Sequence, residues 1–479
     1  MIAMTLREIA DVVSGTVHDA EDGVVVKAPA FVDSRKVLAG GLFVALPGER
    51  VDGHDYVPVA MQGGAAAVLA QRPVGAPAVV VSDGVEALGR LSRHLIARRA
   101  ELADGAGADT GMLLVGLTGS VGKTTTKDLI AHLLGGRGAT VATPGNFNNE
   151  IGLPLTVSMI DEDTRFLVLE MGARAIGHIA YLTEIAPPSV GLVTNIGTAH
   201  LGEFGGYEAT TQGKGELVEA LPEDGLAVLN ADDARVLSMR PRTRADVVLF
   251  GLSQDADIRA EDVALDGRGR ARFTLHTPEG SAPVALLLTG EHQVPNALAA
   301  AAVARHAGLS LAEIAAGLSS ATPASRGRLE ITERPDGVTI VNDAYNASPH
   351  STRAALKAQM AMAGGGRRTI AVLGAMLGLG DEAETEHRAM GALTVDLGID
   401  LVITVGGLIG SEEAQWLADG ATDAGAKVMT TVDNAEASEV LSGLLRSGDI
   451  VLLKASQPAG LQPLGEQLAG QSEEGAAGH

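Results

Sequence analysis

The chain reads as an α/β protein of three domains, and three observations lead there. Its 479 residues are too many for one compact core and suit several domains of ordinary size. Short apolar runs bounded by turn residues alternate with stretches of helical spacing, the order that builds mostly parallel sheets. The polar, Gly-rich segment Asp104-Gly-Ala-Gly-Ala-Asp-Thr-Gly111 interrupts that order and reads as a joint.

The first domain spans residues 1–108. Its opening segment, MIAMTLREIADVVSG, has the spacing of an amphipathic helix, and Val85 to Ala103 repeats that spacing over a longer stretch. The second domain spans 109–322. There the apolar run Met112 to Val115 leads through a Gly-rich turn into a helix from Lys123 to Leu134, a βα unit of the phosphate-binding kind. Further strands are expected at Phe166–Leu169, Val190–Thr194 and Leu226–Leu229, alternating with helices in a mostly parallel sheet. The third domain, 323–479, begins at Pro323 and has buried-strand runs at Val338–Asn342, Thr369–Leu373, Leu401–Val405 and Ile450–Lys454, a Rossmann-like α/β pattern. The tail Gln471–His479 is small and polar and is expected to fray.

Composition narrows the function. With 46% hydrophobic and 20% charged residues the balance is that of a globular enzyme. A formal charge of −23 excludes a general nucleic-acid binder, which needs clustered Lys and Arg. With no Cys, disulfides, thiolate metal sites and a Cys nucleophile are excluded. The early acidic residues do not suit a signal peptide, and no apolar run reaches the roughly 20 residues that span a bilayer. A cytoplasmic protein away from membranes, a monomer, is the expectation.

The stretch Gly116-Leu-Thr-Gly-Ser-Val-Gly-Lys-Thr-Thr125 follows a strand and opens a helix, where backbone N–H groups and the helix dipole favour phosphate. Gly119, Ser120, Gly122, Lys123, Thr124 and Thr125 would cradle a nucleotide, Lys123 on the terminal phosphates and Thr124 on Mg²⁺. The strict GxxxxGK[ST] pattern is missed by one place, since position 117 is Leu. A plain Gly-rich turn with a surface Lys is the bland alternative. By itself the loop indicates ATP or GTP and no second substrate.

Four segments in order, TGSVGKTTTK, Gly145-Asn-Phe-Asn-Asn-Glu-Ile-Gly152, Leu169-Glu-Met-Gly172 and Thr194-Asn-Ile-Gly-Thr-Ala-His200, resemble the Mur ligases. Asp33-Ser-Arg-Lys36 with Asp52-Gly-His54, Gly290-Glu-His-Gln-Val-Pro-Asn296 and Asp343-Ala-Tyr-Asn-Ala347 resemble the member that adds D-alanyl-D-alanine to a UDP-linked tripeptide. The resemblance implies a UDP-sugar domain, a central ATPase domain and a C-terminal domain for the amine. It also implies the chemistry: ATP activates a carboxylate as an acyl phosphate, the amine attacks, and the protein positions and stabilises charge.

By resemblance, Thr124 and Glu170 serve one Mg²⁺ and His200 a second, although Glu170 or His200 alone would read as a cap or core group. Lys214, in Gln212-Gly-Lys-Gly-Glu216, aligns with a lysine the family carries as a carbamate, an anion able to support the second metal. Asn146, Asn148 and Asn149 would line the channel where carboxylate meets γ-phosphate, or simply form turns. His292 and Asn296, four apart on one helix face, would touch adenine. Arg328 would reach the γ-phosphate on domain closure, and Asp343 would accept from the ribose hydroxyls. Ser34 and Arg35 would meet the UDP sugar, and Tyr345 and Asn346 belong to the amine-side signature. Both outer domains are expected to close over the centre.

The third domain departs from the family pattern. Ser348 stands where Asn is usual, Ala375 and Gly378 replace acidic residues, and Gln457 replaces Arg. An Asp would hold an ammonium and an Arg a carboxylate, so these changes leave two readings open. One is the dipeptide ligase of peptidoglycan precursor synthesis. The other is a paralogue with the same activation chemistry and a different amine, in a resistance or natural-product pathway.

Overall fold

The structure, a computed structural model, describes residues 1–20, 23–48, 51–106, 111–197, 204–407 and 409–470. It is a three-domain α/β protein. In the first domain, short strands assemble a five-stranded sheet in which Ala30–Phe31, Leu42–Val44, Ala67–Ala70 and Ala78–Val80 run parallel and Thr16–His18 is antiparallel at the edge. The amphipathic N-terminal segment forms the helix Leu6–Val13, opened by a capping box between Thr5 and Glu8. The second apolar stripe forms the long helix Gly84–Ala106.

The second domain is built on a nine-stranded sheet. Leu113–Thr118 lies inside it, paired in parallel with Phe166–Glu170 on one side and Val190–Val193 on the other. Leu226–Asn230 and Asp246–Gly251 continue the parallel part. The strands are continuous apolar runs because helices cover both faces. Beyond them an antiparallel meander, Ile258–Leu265, Arg270–Thr277 and Gly280–Thr289, extends the sheet. Its burial alternates along each strand, unlike the continuous apolar runs of the parallel part, and Asp266-Gly-Arg-Gly269 and Pro278-Glu-Gly280 make its turns, so the apolar runs alone do not reveal it.

The third domain has a six-stranded sheet, parallel except for its edge strand Glu330–Glu333. Thr369–Leu373, Leu401–Val405 and Ile450–Lys454 fall where the apolar runs place them. All of its strands but that edge one point their carboxyl ends one way, and in such sheets ligands sit at that end. No helix among the described residues is long and apolar enough to cross a membrane.

One apolar core runs through the first domain and into the second. It joins Leu6, Ile9, Leu88, Leu91 and Leu95 to Leu153, Leu169, Ile179 and Leu182. Polar contacts reinforce it: the N–H of Ile2 donates to the Ile160 carbonyl at 3.1 Å, and Arg99 Nε to that of Thr164 at 2.9 Å. The third domain keeps two cores of its own, one on each face of its sheet.

Candidate functional site

The phosphate loop is shaped by two glycines. Gly119 has φ +149° and Gly122 φ +83°, and a Cβ on either would collide with Thr194 or Asn296. Asn195 ties the loop down, its side-chain oxygen accepting from the Val121 N–H at 3.0 Å. Lys123, at the start of the helix Lys123–Gly135, donates to the Gly119 carbonyl at 2.9 Å. Burial lowers its pKa, Glu170 opposing and Arg328 adding to the effect.

Glu170 ends its strand almost fully buried. One carboxylate oxygen accepts from Thr124 Oγ1 at 3.0 Å, the other from Asn148 Nδ2 at 2.8 Å. Asn149 steadies the turn that leads into the helix Gly152–Val157, its side-chain oxygen accepting from the Gly152 N–H at 2.9 Å. Asn148 therefore faces the reacting space while Asn149 also shapes the turn.

Lys214 is 2% exposed on the helix Tyr207–Glu219. Burial pulls its pKa down to about 7, the nearby Lys123 adding and Glu170 opposing. The flanking glycines allow this depth, because a Cβ on Gly213 would meet Phe204 and one on Gly215 would strike Arg242. The Lys214 Nζ lies 5.5 Å from the Phe204 ring centre.

His292 takes the N-cap position of the helix Gln293–His306, one residue before the helix proper, and Asn296 lies in its first turn. Asn296 accepts from Thr126 Oγ1 at 3.3 Å and donates to Gln293 at 2.9 Å. Burial holds His292 down at about 4, so its ring is neutral at physiological pH.

From the third domain, Arg328 reaches across to Thr124 Oγ1 at 3.4 Å, its guanidinium carbon 4.4 Å from the Tyr345 ring centre. Its Nε is buried with no hydrogen-bond partner among the described residues. Asp343 pairs with Lys454 at 2.7 Å, and its other oxygen accepts from the Leu329 N–H at 3.1 Å. Lys454 also donates to the Asn346 carbonyl at 2.7 Å. Ser348 caps the helix Pro349–Ala363 through a capping box with Ser351.

These groups line one cleft of about 1200 Å³ between the second and third domains. Ser120, Gly122, Lys123, Thr124 and Thr125 form one wall, with Asn146, Asn148, Asn149, Glu170 and Lys214 beside them. His292, Asn296, Arg328 and Asp343 close it, and Tyr345, Asn346, Ser348 and Gln457 extend it into the third domain. Gly119 sits behind the wall. Ala375 is 1% exposed and does not line the cleft; its methyl fills the space where Gly410 would carry a Cβ. Ser34 and Arg35 also lie outside it, the exposed Arg35 paired with Asp33 at 2.8 Å. His200 falls outside the described residues.

Sequence reasoning missed three groups at the cleft. Lys454 is a buried cation ending an apolar strand, a readable signal. Asp233 accepts from the Ile196 N–H at 2.7 Å and Ser456 from the Leu377 N–H at 2.9 Å; neither carries a local signal.

Comparison with known proteins follows the same lines. The model of the Mur ligase middle domain matches residues 117–304, that of the Mur ligase glutamate ligase domain 327–457, and that of the Mur ligase family catalytic domain 31–95. The UDP-N-acetylmuramoyl-tripeptide–D-alanyl-D-alanine ligase of Mycobacterium tuberculosis is 44% identical over 98% of each chain. A crystal structure of MurF from Acinetobacter baumannii superposes with a TM-score of 0.84 at 30% identity, covering 98% of this chain and 99% of that one. The MurF ligase of Thermotoga maritima, solved in complex with ADP, gives 0.77 at 30% identity over 93% and 98%.

Proposed function

This chain belongs to the Mur ligase family, and we propose that it is the ATP-dependent ligase that joins D-alanyl-D-alanine to UDP-N-acetylmuramoyl-tripeptide in peptidoglycan precursor synthesis. The observation that carries the reading is the single cleft in which the phosphate loop, Glu170 with Asn148, and the strand ends of the third domain face one another across Arg328. Residues 1–108 would hold the UDP sugar, 109–322 ATP, and 323–479 the amine.

ATP lies with its phosphates against Gly119 to Thr125 and its base near His292 and Asn296. Lys123 and Arg328 offset charge on the phosphoryl group as it moves to the tripeptide carboxylate, and Asn148 orients that carboxylate. The acyl phosphate then meets the amine held at the third-domain strand ends, and closure excludes water from it. Thr124 and Glu170 are hard oxygen donors 3.0 Å apart, a set that suits Mg²⁺ shared with a nucleotide. Bound there, Mg²⁺ would neutralise developing phosphate charge. A lysine amine near neutrality is the form that takes up CO₂, so Lys214 suits a carbamate and an anionic role. A cytoplasmic monomer fits this chemistry.

The changed-acceptor alternative is not favoured. Relatives matching over the whole chain carry the dipeptide ligase name, and the missing acid at Ala375 takes nothing from the cleft wall. The test is to incubate the protein with ATP, Mg²⁺ and UDP-muramoyl-tripeptide and to offer D-alanyl-D-alanine beside D-alanyl-D-lactate and other amines. Products are identified by mass and phosphate release is followed in parallel. A pentapeptide product with the dipeptide preferred is expected. Turnover with another amine alone would revive the alternative and single out Ser348 and Gln457.

A further inference from the structure

The loop after the strand Thr369–Leu373 carries Leu377 and Gly378 into the cleft, while Met376 and Leu379 sink into the apolar core, Met376 Sδ accepting from Thr352 Oγ1 at 3.5 Å. On the cleft side its backbone groups are taken up by neighbouring segments. The Ala375 carbonyl accepts from the Ser456 N–H at 2.8 Å, and the Leu377 N–H donates to Ser456 Oγ at 2.9 Å. Ser456 Oγ in turn donates to the Ala347 carbonyl at 3.3 Å, so one hydroxyl ties together loops from three neighbouring strand ends. A further N–H of the loop, that of Met376, donates to Nε2 of His387 at 2.9 Å.

His387 is wholly buried on the helix Ala383–Asp396 and does not line the cleft. Its Nδ1 lies 2.6 Å from the Ala383 carbonyl, which can only accept, so Nδ1 carries the proton and Nε2 is the bare nitrogen that Met376 requires. Both ring nitrogens are thereby committed in one tautomer. The ring is fixed from behind by the chain's single tryptophan, Trp416, with centroids 6.2 Å apart. Its helix is locked to the helix Ser411–Asp423 by Gly391 and Gly420, where any Cβ would strike the facing backbone.

We propose that His387 is a positioning residue for the incoming amine, setting the placement of Leu377 and Gly378 through the Met376 N–H without touching substrate. The inference rests on the reading of the third domain as the amine site. A buried N–H left without its acceptor costs free energy, and the loop relieves that cost by shifting toward water. The shift moves the cleft wall on the amine side and leaves the phosphate loop in another domain untouched.

The test compares His387→Leu with His387→Gln in the full chain, whose amide can both accept and donate. For His387→Leu, the KM for D-alanyl-D-alanine should rise about tenfold, the scale of one lost hydrogen bond. The KM values for ATP and UDP-muramoyl-tripeptide should stay unchanged, as should acyl phosphate formed without amine and trapped by borohydride reduction. His387→Gln should recover most of the loss. Far-UV circular dichroism and thermal melting report whether each variant is folded. Should His387→Leu fail to fold, His387→Asn against His387→Gln repeats the comparison, the shorter amide being the one that raises the dipeptide KM. An unmoved dipeptide KM, or an equal rise in all three KM values, overturns the inference. Wild-type protein that does not use the dipeptide sinks the amine reading and the inference with it, whereas wild-type turnover with an unmoved variant KM sinks the inference alone.

Discussion

Where the first domain meets the second, apolar side chains of both interleave in one core, whereas the third meets the second through a few polar contacts around a cleft. At the first seam Leu88, Leu91 and Leu95 are fully buried against the second domain's helices. At the other, Ser325 donates to Asp128 at 2.6 Å, Arg328 reaches Thr124, and the turn at Gly269 rests on Met362. Parting the first seam exposes core; parting the second costs a few hydrogen bonds of about 1 kcal/mol each. Of the two outer domains expected to close, the third is therefore the one whose movement would break fewer contacts, and the first two would be expected to move as a pair.

That comparison can be attacked at several points. The largest effect is expected at Arg328, which reaches across the polar seam to Thr124 and which we propose meets the reacting phosphate. Arg328→Ala should lower kcat by about 10²–10³-fold, the loss typical of one transition-state donor, and Arg328→Lys should not restore it, lacking the planar fork. Steady-state kinetics decide this. A loss confined to the KM for ATP would make Arg328 a binding group only.

Next comes the apolar seam. Leu91→Ala should destabilise by about 2–5 kcal/mol and lower the melting of the first two domains together. Leu452→Ala, in the third domain's own core, should move a separate transition. Calorimetry showing the first domain melting alone would break the contrast. A smaller effect is expected from Ser325→Ala, about 1 kcal/mol of latch. Small-angle scattering should then show a more open average shape, with stability of the first two domains unchanged.

The subtlest test is a titration. Burial keeps His292 at about 4 against an ordinary 6.5, with Asp343 opposing and His350 and Lys454 adding, all three from the third domain. Below pH 6.5 an open or unfolded chain takes up a proton that the closed one refuses. Closure is thus fully favoured above that pH and weakens as pH falls toward 4. Histidine NMR, assigned with His292→Gln, should find this pKa displaced upward in Ser325→Ala. A value unmoved in the opened variant would mean that the third domain does not bury the ring.

How much of this is legible in the sequence depends on where the information lies. Thr369–Leu373, Leu401–Val405 and Ile450–Lys454 are uninterrupted apolar runs, as buried parallel strands must be, and their limits can be read directly. The phosphate loop is equally local. The meander Ile258–Thr289 carries a different signal from an uninterrupted run: its strands alternate buried and exposed residues, and it joins the main sheet beside the preceding strand, so it is legible only from alternation and turn residues. The stripe from Val85 to Ala103 announces a helix but not its partner, so the shared core is invisible until the chain is folded. Ser456 and His387 are likewise unreadable: each serves a backbone group that lies 79 or 11 residues away. Ala375 shows the reverse hazard, a motif position whose side chain turns toward Gly410.

The shared core also decides where this gene could be cut. A break in the 322–325 connection would release two polypeptides, each carrying its own interior, that could be produced apart and recombined. A break between 106 and 112 would leave two halves of one interior facing water, each a candidate for aggregation. For anyone building chimaeras from related ligases, the first two domains form one inheritable block and the third is the exchangeable cassette.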